Sequence, residues 1–263
     1  MRVVIITSTG LRHKYYCSSL AQHLDIAGII TEEKAPIISS SVVLSEEGNK
    51  IIKAHLNERD EVEKQLLGNP VFPGSNMLNL RHGECNSAEV LRWIDQKKPD
   101  VILLYGSSII KDPVLSAYDN KIINLHLGLS PYYRGSATNF WPLVYNEPEC
   151  VGATIHLATL KVDAGSILFQ VRPVPAASDR AHHLGTKTII EAVNTIPAVL
   201  SKYMGGGIDP QVQQLEKGRV FRMKDFNADA VIKMWQNFEE GMMQAYMSDM
   251  DRRLERYPIV STI

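Results

Sequence analysis

Hydrophobic residues near the start of the chain fall into short continuous runs that end in polar turns. The run RVVIIT at 2–7 is rich in β-branched residues, which is typical of a strand buried on both faces of a parallel sheet. A helical stretch, YYCSSLAQHL, and a second apolar run, IAGIIT, follow it. This order predicts a βαβ unit, and such units cross over with a right hand.

The alternation of helices and strands continues to about residue 204. The predicted helices cover 45–67, 87–98 and about 180–204, and the predicted strands cover 101–105, 121–126, 151–158 and 166–174. Either Asn86 or Ser87 can cap the second of these helices, and a polar turn separates the last two strands, which we expect to pair. The pattern as a whole indicates an α/β fold with a mostly parallel sheet.

A glycine run at 205–207 follows the last long helix and predicts a linker. It divides the chain into a main domain, 1–205, and a small C-terminal appendage, 206–263. One predicted helix of the appendage carries an apolar stripe made of Val231, Met234, Trp235, Phe238, Met242, Ala245 and Tyr246. A stripe of this width needs a covering surface, which favours a homodimer or, alternatively, packing on the main domain.

Composition and charge narrow the class of protein. Lys and Arg number 28 and Asp and Glu number 29, so no global charge favours a nucleic acid or an anionic membrane as a partner. Cys17, Cys85 and Cys150 are scattered, which suits reduced thiols in a cytosol. Neither a signal peptide nor a transmembrane helix is supported by the apolar runs. We therefore expect a soluble cytoplasmic protein.

Polar residues at the end of the predicted strand KIINLH are the first candidates for chemistry. Asn124 and His126 are two positions apart, so both side chains lie on one face of the strand. The carboxyl ends of parallel strands border the crevice in which α/β sheets bind ligands. The pair can act together on one small acceptor atom or serve only as hydrogen-bonded structural groups. Asp163, which opens a glycine turn further along, would by itself be an ordinary turn residue.

The remaining histidines carry less weight. His156 lies within a predicted strand, and we interpret it as a structural residue. His182 and His183 are adjacent, which is not the spacing of two metal ligands on one helix face. The sequence therefore predicts no metal site.

Two longer segments give Asn124, His126 and Asp163 a context. NLHLGLSPYYRGSATNFWPL at 124–143 contains an Asn-x-His strand end and a Pro-containing loop that finishes in Arg-Gly. GATIHLATLKVDAGSI at 152–167 adds a Gly-x-Thr-x-His strand and an Asp-x-Gly turn. In this order the motifs resemble the folate-dependent formyltransferases, over roughly residues 1–205. The resemblance implies a Rossmann-like formyltransferase domain with 10-formyltetrahydrofolate as the formyl donor.

The resemblance also implies a catalytic set made of Asn124, His126 and Asp163. When an amine attacks the formyl carbon, Asn124 and His126 can donate hydrogen bonds to the oxyanion that develops. Asp163 can orient the imidazole of His126, raise its pKa and accept a proton through water.

Further residues are candidates for binding the two substrates. Those that would border the pterin ring of the folate are Leu104, Tyr105, Gly106, Ile109, Lys161 and Val162. For the acceptor, the start of the first helix is a place where backbone N–H groups can hold phosphate, and exposed aromatic or basic side chains can face a sugar or base. The acceptor candidates are Gly10, Arg12, His13, Tyr132, Tyr133 and Arg134.

The motifs leave the acceptor open. The loop at 128–131 reads Gly-Leu-Ser-Pro, where transferases acting on tRNA and purines often have Ser-Leu-Leu-Pro. The appendage is small and lacks the dense basic character that tRNA binding needs, and purine transformylases usually stop before such an appendage. The sequence is most similar to the sugar-modifying members, which predicts a nucleotide-linked amino sugar as acceptor. Methionyl-tRNA or another small amine, hydrolysis of formyl-folate, and a non-enzymatic nucleotide-binding module are the alternatives.

Overall fold

A computed structural model describes residues 1–33, 45–74 and 76–261. The strands are β1 (Arg2–Thr7), β2 (Asp25–Glu32), β3 (Met77–Leu80), β4 (Val101–Tyr105), β5 (Ile122–His126), β6 (Tyr133–Gly135), β7 (Ala153–Leu157), β8 (Ile167–Val171) and β9 (Arg219–Phe221). The helices are α1 (Leu11–Leu20), α2 (Glu46–Leu67), α3 (Ala88–Lys97), α4 (Val114–Ala117), α5 (Trp141–Val144), α6 (Ala181–Met204), α7 (Ala228–Glu239), α8 (Met242–Ser248) and α9 (Met250–Glu255).

Seven of the strands form one sheet in the order β3-β2-β1-β4-β5-β7-β8. The strands from β3 to β5 pair in parallel, whereas β7 pairs antiparallel with β5 and with β8. The predicted α/β class and the mostly parallel sheet are confirmed. The chain adds β2 and β3 on one side of β1 and then returns to place β4 on the other side. The carboxyl ends of β1 and β4 therefore border a crevice, which is where such sheets bind ligands.

Both faces of the sheet are buried, because alternate residues of each strand point to opposite faces. In β1, Ile5 packs in a cluster with residues of α1 and α6, and Ile6 packs in a second cluster with residues of α3. Neither side chain is exposed to solvent. This double burial explains why the strands appear as continuous apolar runs in the sequence.

The element boundaries differ from the predictions in two informative places. The second predicted helix begins after Ser87, whose hydroxyl accepts a hydrogen bond from the Val90 N–H, while Asn86 bonds to the backbone of residues 109 and 111 instead. The single long helix predicted in the appendage is divided into α7 and α8 at Gly241, which has a φ of 88°. Left-handed backbone of this kind often ends a helix and is most favourable for glycine.

The apolar stripe of the appendage is covered by the same chain. Val231, Met242 and Tyr246 are buried in a cluster with Phe140, Trp141 and other residues of the main domain. The alternative of packing on the main domain thus describes most of the stripe, although Ala245 is exposed, and the homodimer stays a prediction. The division of the chain at residue 205 stays a prediction.

The C-terminal end is also attached to the sheet. The Gln170 N–H of β8 donates to the carbonyl of Val260, and the hydroxyl of Tyr132 donates to the carbonyl of Pro258. Among the helices of the described residues, none has the length and apolar character needed to cross a membrane.

Candidate active site

The site is built on the carboxyl end of β5. Asn124 and His126 both point to the crevice side of this strand, and His126 is only 6% exposed. In the antiparallel pairing with β7, Asn124 lies opposite His156 and His126 lies opposite Thr154. The register of two strands thus brings an amide and two imidazoles together.

Asp163 completes this group from the turn after β7. Its Oδ1 lies 3.3 Å from His126 Nδ1 and 3.7 Å from His156 Nε2, and its Oδ2 accepts a hydrogen bond from the Gly135 N–H at 3.1 Å. Burial raises the pKa of Asp163, but both imidazoles and the Gly135 N–H outweigh it and lower this pKa to about 2. The carboxylate is therefore ionised at neutral pH.

Burial has the larger effect on the imidazole of His126. It lowers the pKa of His126 below its ordinary value, although the nearby Asp163 carboxylate acts in the opposite direction. The predicted influence of Asp163 has the expected sign but is the smaller of the two. At neutral pH the ring is thus a neutral imidazole next to an anion.

The turn that carries Asp163 has a demanding backbone. Asp163 has a φ of 49°, in the left-handed region that aspartate tolerates better than most residues. Two residues later, a Cβ added to Gly165 would lie 1.7 Å from the carbonyl oxygen of Leu157, so only glycine fits there. The Asp-x-Gly spacing is therefore required for placing the carboxylate.

Asn124 is oriented by His156, which the sequence analysis treated as structural. His156 Nδ1 faces the Leu157 carbonyl at 2.8 Å, and because a carbonyl only accepts, Nδ1 carries a proton. In the neutral ring, Nε2 then accepts from the Asn124 amide nitrogen at 3.0 Å. The second N–H of the amide is left to point elsewhere. The sequence indicated that His156 lies on a strand close to Asn124. Only the register of β5 with β7 shows that the two residues are directly opposite each other.

The loop after β5 contributes its backbone to the site. His126 Nε2 lies 3.2 Å from the carbonyl of Tyr133 and 3.3 Å from the hydroxyl of Thr138. Since the Thr138 hydroxyl donates to the Leu127 carbonyl, it can accept from Nε2. Both ring nitrogens of His126 thus face hydrogen-bond acceptors, Nδ1 the Asp163 carboxylate and Nε2 the Tyr133 carbonyl, so an imidazolium formed here would have a partner on either side.

The side chains of the same loop point away from the cavity. The Tyr132 ring packs against Tyr257, and the Tyr133 hydroxyl donates to Glu147 while its ring stacks on Phe221. The Arg134 guanidinium is mostly buried and donates to the Leu215 carbonyl at 3.2 Å. The expectation that Tyr132, Tyr133 and Arg134 face the acceptor does not agree with these contacts.

Thr154 and Gln170 fix the loop after β5 through hydrogen bonds to its backbone. The Thr154 hydroxyl accepts from the Ser130 N–H at 2.9 Å and donates to the Gly128 carbonyl at 2.7 Å. The Gln170 amide donates to the Ser130 carbonyl at 2.6 Å. The threonine of the Gly-x-Thr-x-His strand is therefore the residue that fixes the loop after His126.

Asn124, His126 and Asp163 line a cavity of about 610 Å³, a size that suits a small-molecule ligand. Of the six residues predicted to border a pterin ring, Leu104, Tyr105, Gly106, Ile109 and Val162 line this cavity. Lys161 is exposed and does not line it. Ile109 and Val162 are 45% and 46% exposed, although both are large apolar side chains. A flat ring bound here would cover them, so the residues present fit the predicted folate.

Gly106 allows a close approach at the end of β4. Its φ is 69°, and an added Cβ would lie 2.5 Å from the ring of His13. His13 Nδ1 lies 2.9 Å from the Thr7 hydroxyl, which donates to the Tyr105 carbonyl. The Thr7 hydroxyl therefore joins the ends of β1 and β4, and His13 packs against both of them at the cavity wall.

Only some residues of the predicted phosphate site at the start of α1 line the cavity. Arg12 and His13 line it, whereas Gly10 is exposed and lies outside it. The Arg12 guanidinium forms an ion pair with the buried Glu63 carboxylate. Burial acts to lower the pKa of Arg12, but Tyr105 and Glu63 raise it above its ordinary value. Arg12 is thus a permanent cation that already has a partner.

Another group on the cavity wall was missed by the sequence analysis. His182 Nε2 in α6 lies 3.2 Å from His55 Nδ1 in α2, and Glu58 is the third member of the cluster. Burial lowers the pKa of His55 to about 4 with a further contribution from Arg59, and burial followed by His55 lowers the pKa of His182 to about 3. His182 was compared only with its neighbour His183, so its true partner on a distant helix was not found.

The fold is that of the formyltransferases. A phosphoribosylglycinamide formyltransferase from Anaplasma phagocytophilum superposes with a TM-score of 0.54 and 17% identity, over 84% of this chain and 98% of that one. A sugar N-formyltransferase from a Shewanella species gives a TM-score of 0.54 and 16% identity, over 86% and 78%. At these identities the similarity concerns the fold alone.

The sequence places the chain in the same group. Residues 1–200 match the family described as Formyl transferase, and the chain belongs to that family. A curated relative, the bifunctional polymyxin resistance protein ArnA from Wigglesworthia glossinidia brevipalpis, is 34% identical over 128 residues. That match covers 45% of this chain and 18% of the relative, so it spans less than a fifth of the relative's length.

Proposed function

We propose that this protein transfers the formyl group of 10-formyltetrahydrofolate to the amine of a nucleotide-linked amino sugar. The observation that carries the proposal is the convergence of Asn124, His126 and Asp163 on one cavity, with His126 Nδ1 only 3.3 Å from the Asp163 carboxylate. Membership of the Formyl transferase family supports the class of reaction.

The reaction needs one charge to be stabilised and one proton to be moved. The amine nitrogen forms a bond to the formyl carbon, the bond from that carbon to the folate nitrogen breaks, and a proton passes from the amine to the departing nitrogen. Negative charge develops on the formyl oxygen in between. The free N–H of the Asn124 amide is a suitable donor to that oxygen, because His156 holds the same amide nitrogen in place through its other N–H.

His126 and Asp163 are suited to the proton transfer. Both ring nitrogens of His126 face hydrogen-bond acceptors, so the neutral ring can take up the amine's proton on the nitrogen that is unprotonated. The resulting imidazolium would lie beside the ionised Asp163, whose attraction stabilises it. A buried imidazole of lowered pKa also releases the proton readily to the leaving nitrogen.

Features at the other side of the cavity support a charged acceptor with a flat group. The Arg12 and Arg59 side chains line the cavity, and each is paired with a carboxylate that an anionic acceptor group would have to displace. Phe226, which belongs to the segment after residue 205, lines it as well and packs edge-on against Phe140. The appendage thus forms part of the cavity wall. An acceptor larger than a simple amine would need this additional binding surface.

A panel assay tests the proposal. Purified protein is mixed with 10-formyltetrahydrofolate and each of several nucleotide-linked amino sugars, and product is identified by mass as an added formyl group. The Asn124→Ala variant serves as the matched inactive control. Formylation of glycinamide ribonucleotide or methionyl-tRNA in preference to every sugar would replace the proposed acceptor. Loss of formyl-folate without any added amine would indicate a hydrolase instead.

A further inference from the structure

Two helices at the cavity wall bring together three side chains that the proposed transfer reaction does not use. His55 and Glu58 are three positions apart on α2 and therefore lie on the same face of that helix. His182 lies in the first turn of α6. The ligand atoms of all three lie within 4.8 Å of one another. Two nitrogen donors and one carboxylate from separate helices are a ligand set known for zinc.

We propose that His55, Glu58 and His182 bind a divalent transition-metal ion of the zinc class. An ion with tetrahedral coordination and Zn–N distances of about 2.0–2.1 Å holds two ligand nitrogens about 3.3–3.4 Å apart. His55 Nδ1 and His182 Nε2 are already 3.2 Å apart. The separation of the two nitrogens therefore already suits such an ion, and each ring has only to turn so that its lone pair points to it. Only the Glu58 carboxylate has to move closer, and its side chain is 31% exposed.

The surrounding charges permit a cation here. Each nearby guanidinium has a carboxylate partner: Arg12 pairs with Glu63, Arg59 with Asp60, and Arg180 with Glu58. The last of these contacts is long, at 3.8 Å, and the Arg180 guanidinium also lies over the Phe238 ring. Glu58 can therefore exchange Arg180 for a metal ion at little cost. Imidazole donors favour zinc-like ions over magnesium or calcium, which prefer sites made of oxygen.

Three protein ligands leave at least one coordination position for another group. His55 and His182 line the cavity, so a substrate oxygen can reach that position. A role in holding the acceptor would rest on the proposed function, but the binding of the metal itself does not. The experiment is therefore done in the absence of folate and acceptor.

Cobalt(II) is the probe, because its visible absorption reports on imidazole coordination. The full chain without a histidine tag is freed of metal with a chelator, titrated with Co²⁺, and then challenged with Zn²⁺. We expect one Co²⁺ per chain and its displacement by Zn²⁺. His182→Gln should weaken Co²⁺ binding by about a hundredfold or more, and Glu58→Gln by about tenfold. His183→Gln, the adjacent residue on the same helix, should leave binding unchanged.

Two results would overturn the proposal. One is the absence of a visible cobalt band in the natural chain. The other is a cobalt affinity that is the same in His182→Gln as in the natural chain, which would place the ion elsewhere. Circular dichroism verifies the fold of each variant, and His55→Gln provides the same test if His182→Gln does not fold.

Discussion

The two sides of the cavity are constructed differently. The strand side carries Asn124, His126, His156 and Asp163, and the helix side carries Arg12, His55, Glu63 and His182. At the strand side, three of the groups are held by main-chain atoms: His126 by the Tyr133 carbonyl, His156 by the Leu157 carbonyl and Asp163 by the Gly135 N–H. Asn124 is held in turn by His156. At the helix side, side chains hold one another, as in the Arg12–Glu63 pair and the His55–His182 pair.

This difference indicates different tasks. Main-chain anchors fix an atom to within a fraction of an ångström, which catalysis of a bond change requires. Side-chain pairs between helices can exchange partners, which suits the binding of a charged ligand. We therefore expect substitutions at the strand side to reduce turnover, and substitutions at the helix side to change affinity or stability.

The largest effect is expected for Asp163→Asn and His126→Ala. Asp163→Asn retains the size of the side chain but removes the anion beside His126 Nδ1. Since general acid–base help is worth about a hundredfold to ten-thousandfold, kcat should fall by at least about a hundredfold in each variant. The double variant should lose far less than the product of the two, because the residues act as a unit. Steady-state kinetics on the acceptor found by the panel assay measures all three.

Asp209→Asn is the control for this prediction, since Asp209 is an exposed aspartate that does not line the cavity. Its turnover should equal that of the natural chain. A folded Asp163→Asn protein with near-normal turnover would show that the strand side does not have the proposed chemistry.

The strand side was also the part that the sequence could predict. Asn124 and His126 are close in sequence and the period of a strand is fixed at two residues, so their common face followed directly. The pairing of Asn124 with His156 depends on the register of β5 with β7, across 32 residues, and no local pattern specifies it.

The contacts of the helix side could not be predicted from the sequence for the same reason, because they join residues that are far apart in the chain. His55 and His182 are 127 residues apart and meet only because α2 packs beside α6. Tyr132 and Tyr133 were predicted to face the acceptor because they are aromatic residues in a loop. The sequence of a loop does not show whether such a side chain faces a ligand or the core. Here Tyr133 is buried, and the backbone of its loop is what reaches the site.

A smaller effect, on affinity and stability, is expected at Arg12. Its guanidinium holds Glu63, whose side chain is 5% exposed, so Arg12→Ala leaves a buried carboxylate with a much weaker partner. We expect a loss of about 3 kcal/mol in the free energy of unfolding, the lower end for a broken buried pair, because Arg12 is itself partly exposed. Urea denaturation measures this loss. If Arg12 also holds the acceptor's phosphates, its removal should raise the acceptor KM about tenfold and leave kcat nearly unchanged.

Glu63→Gln separates the two roles of Arg12. It frees the guanidinium from its carboxylate, so an acceptor phosphate would bind a cation without competition and the acceptor KM should fall. An unchanged KM in both Arg12→Ala and Glu63→Gln would mean that the phosphates bind elsewhere, while the stability of the Arg12–Glu63 pair could still be as expected.

The smallest expected effect is on the titration of His126, and it tests the electrostatic link between His126 and Asp163 without any substrate. Burial lowers the pKa of His126 and Asp163 raises it, with burial the larger influence. The natural chain should therefore titrate below the ordinary value of about 6.5. Asp163→Asn removes the influence that favours the imidazolium and leaves burial in place, so the midpoint should move to still lower pH. Nuclear magnetic resonance of the histidine rings measures the midpoint, the His126→Ala spectrum assigns the signal, and Asp209→Asn should leave it unmoved. A midpoint that stays constant or rises in Asp163→Asn would mean that the carboxylate does not act on His126 as an anion, and the proton transfer would then need another acceptor.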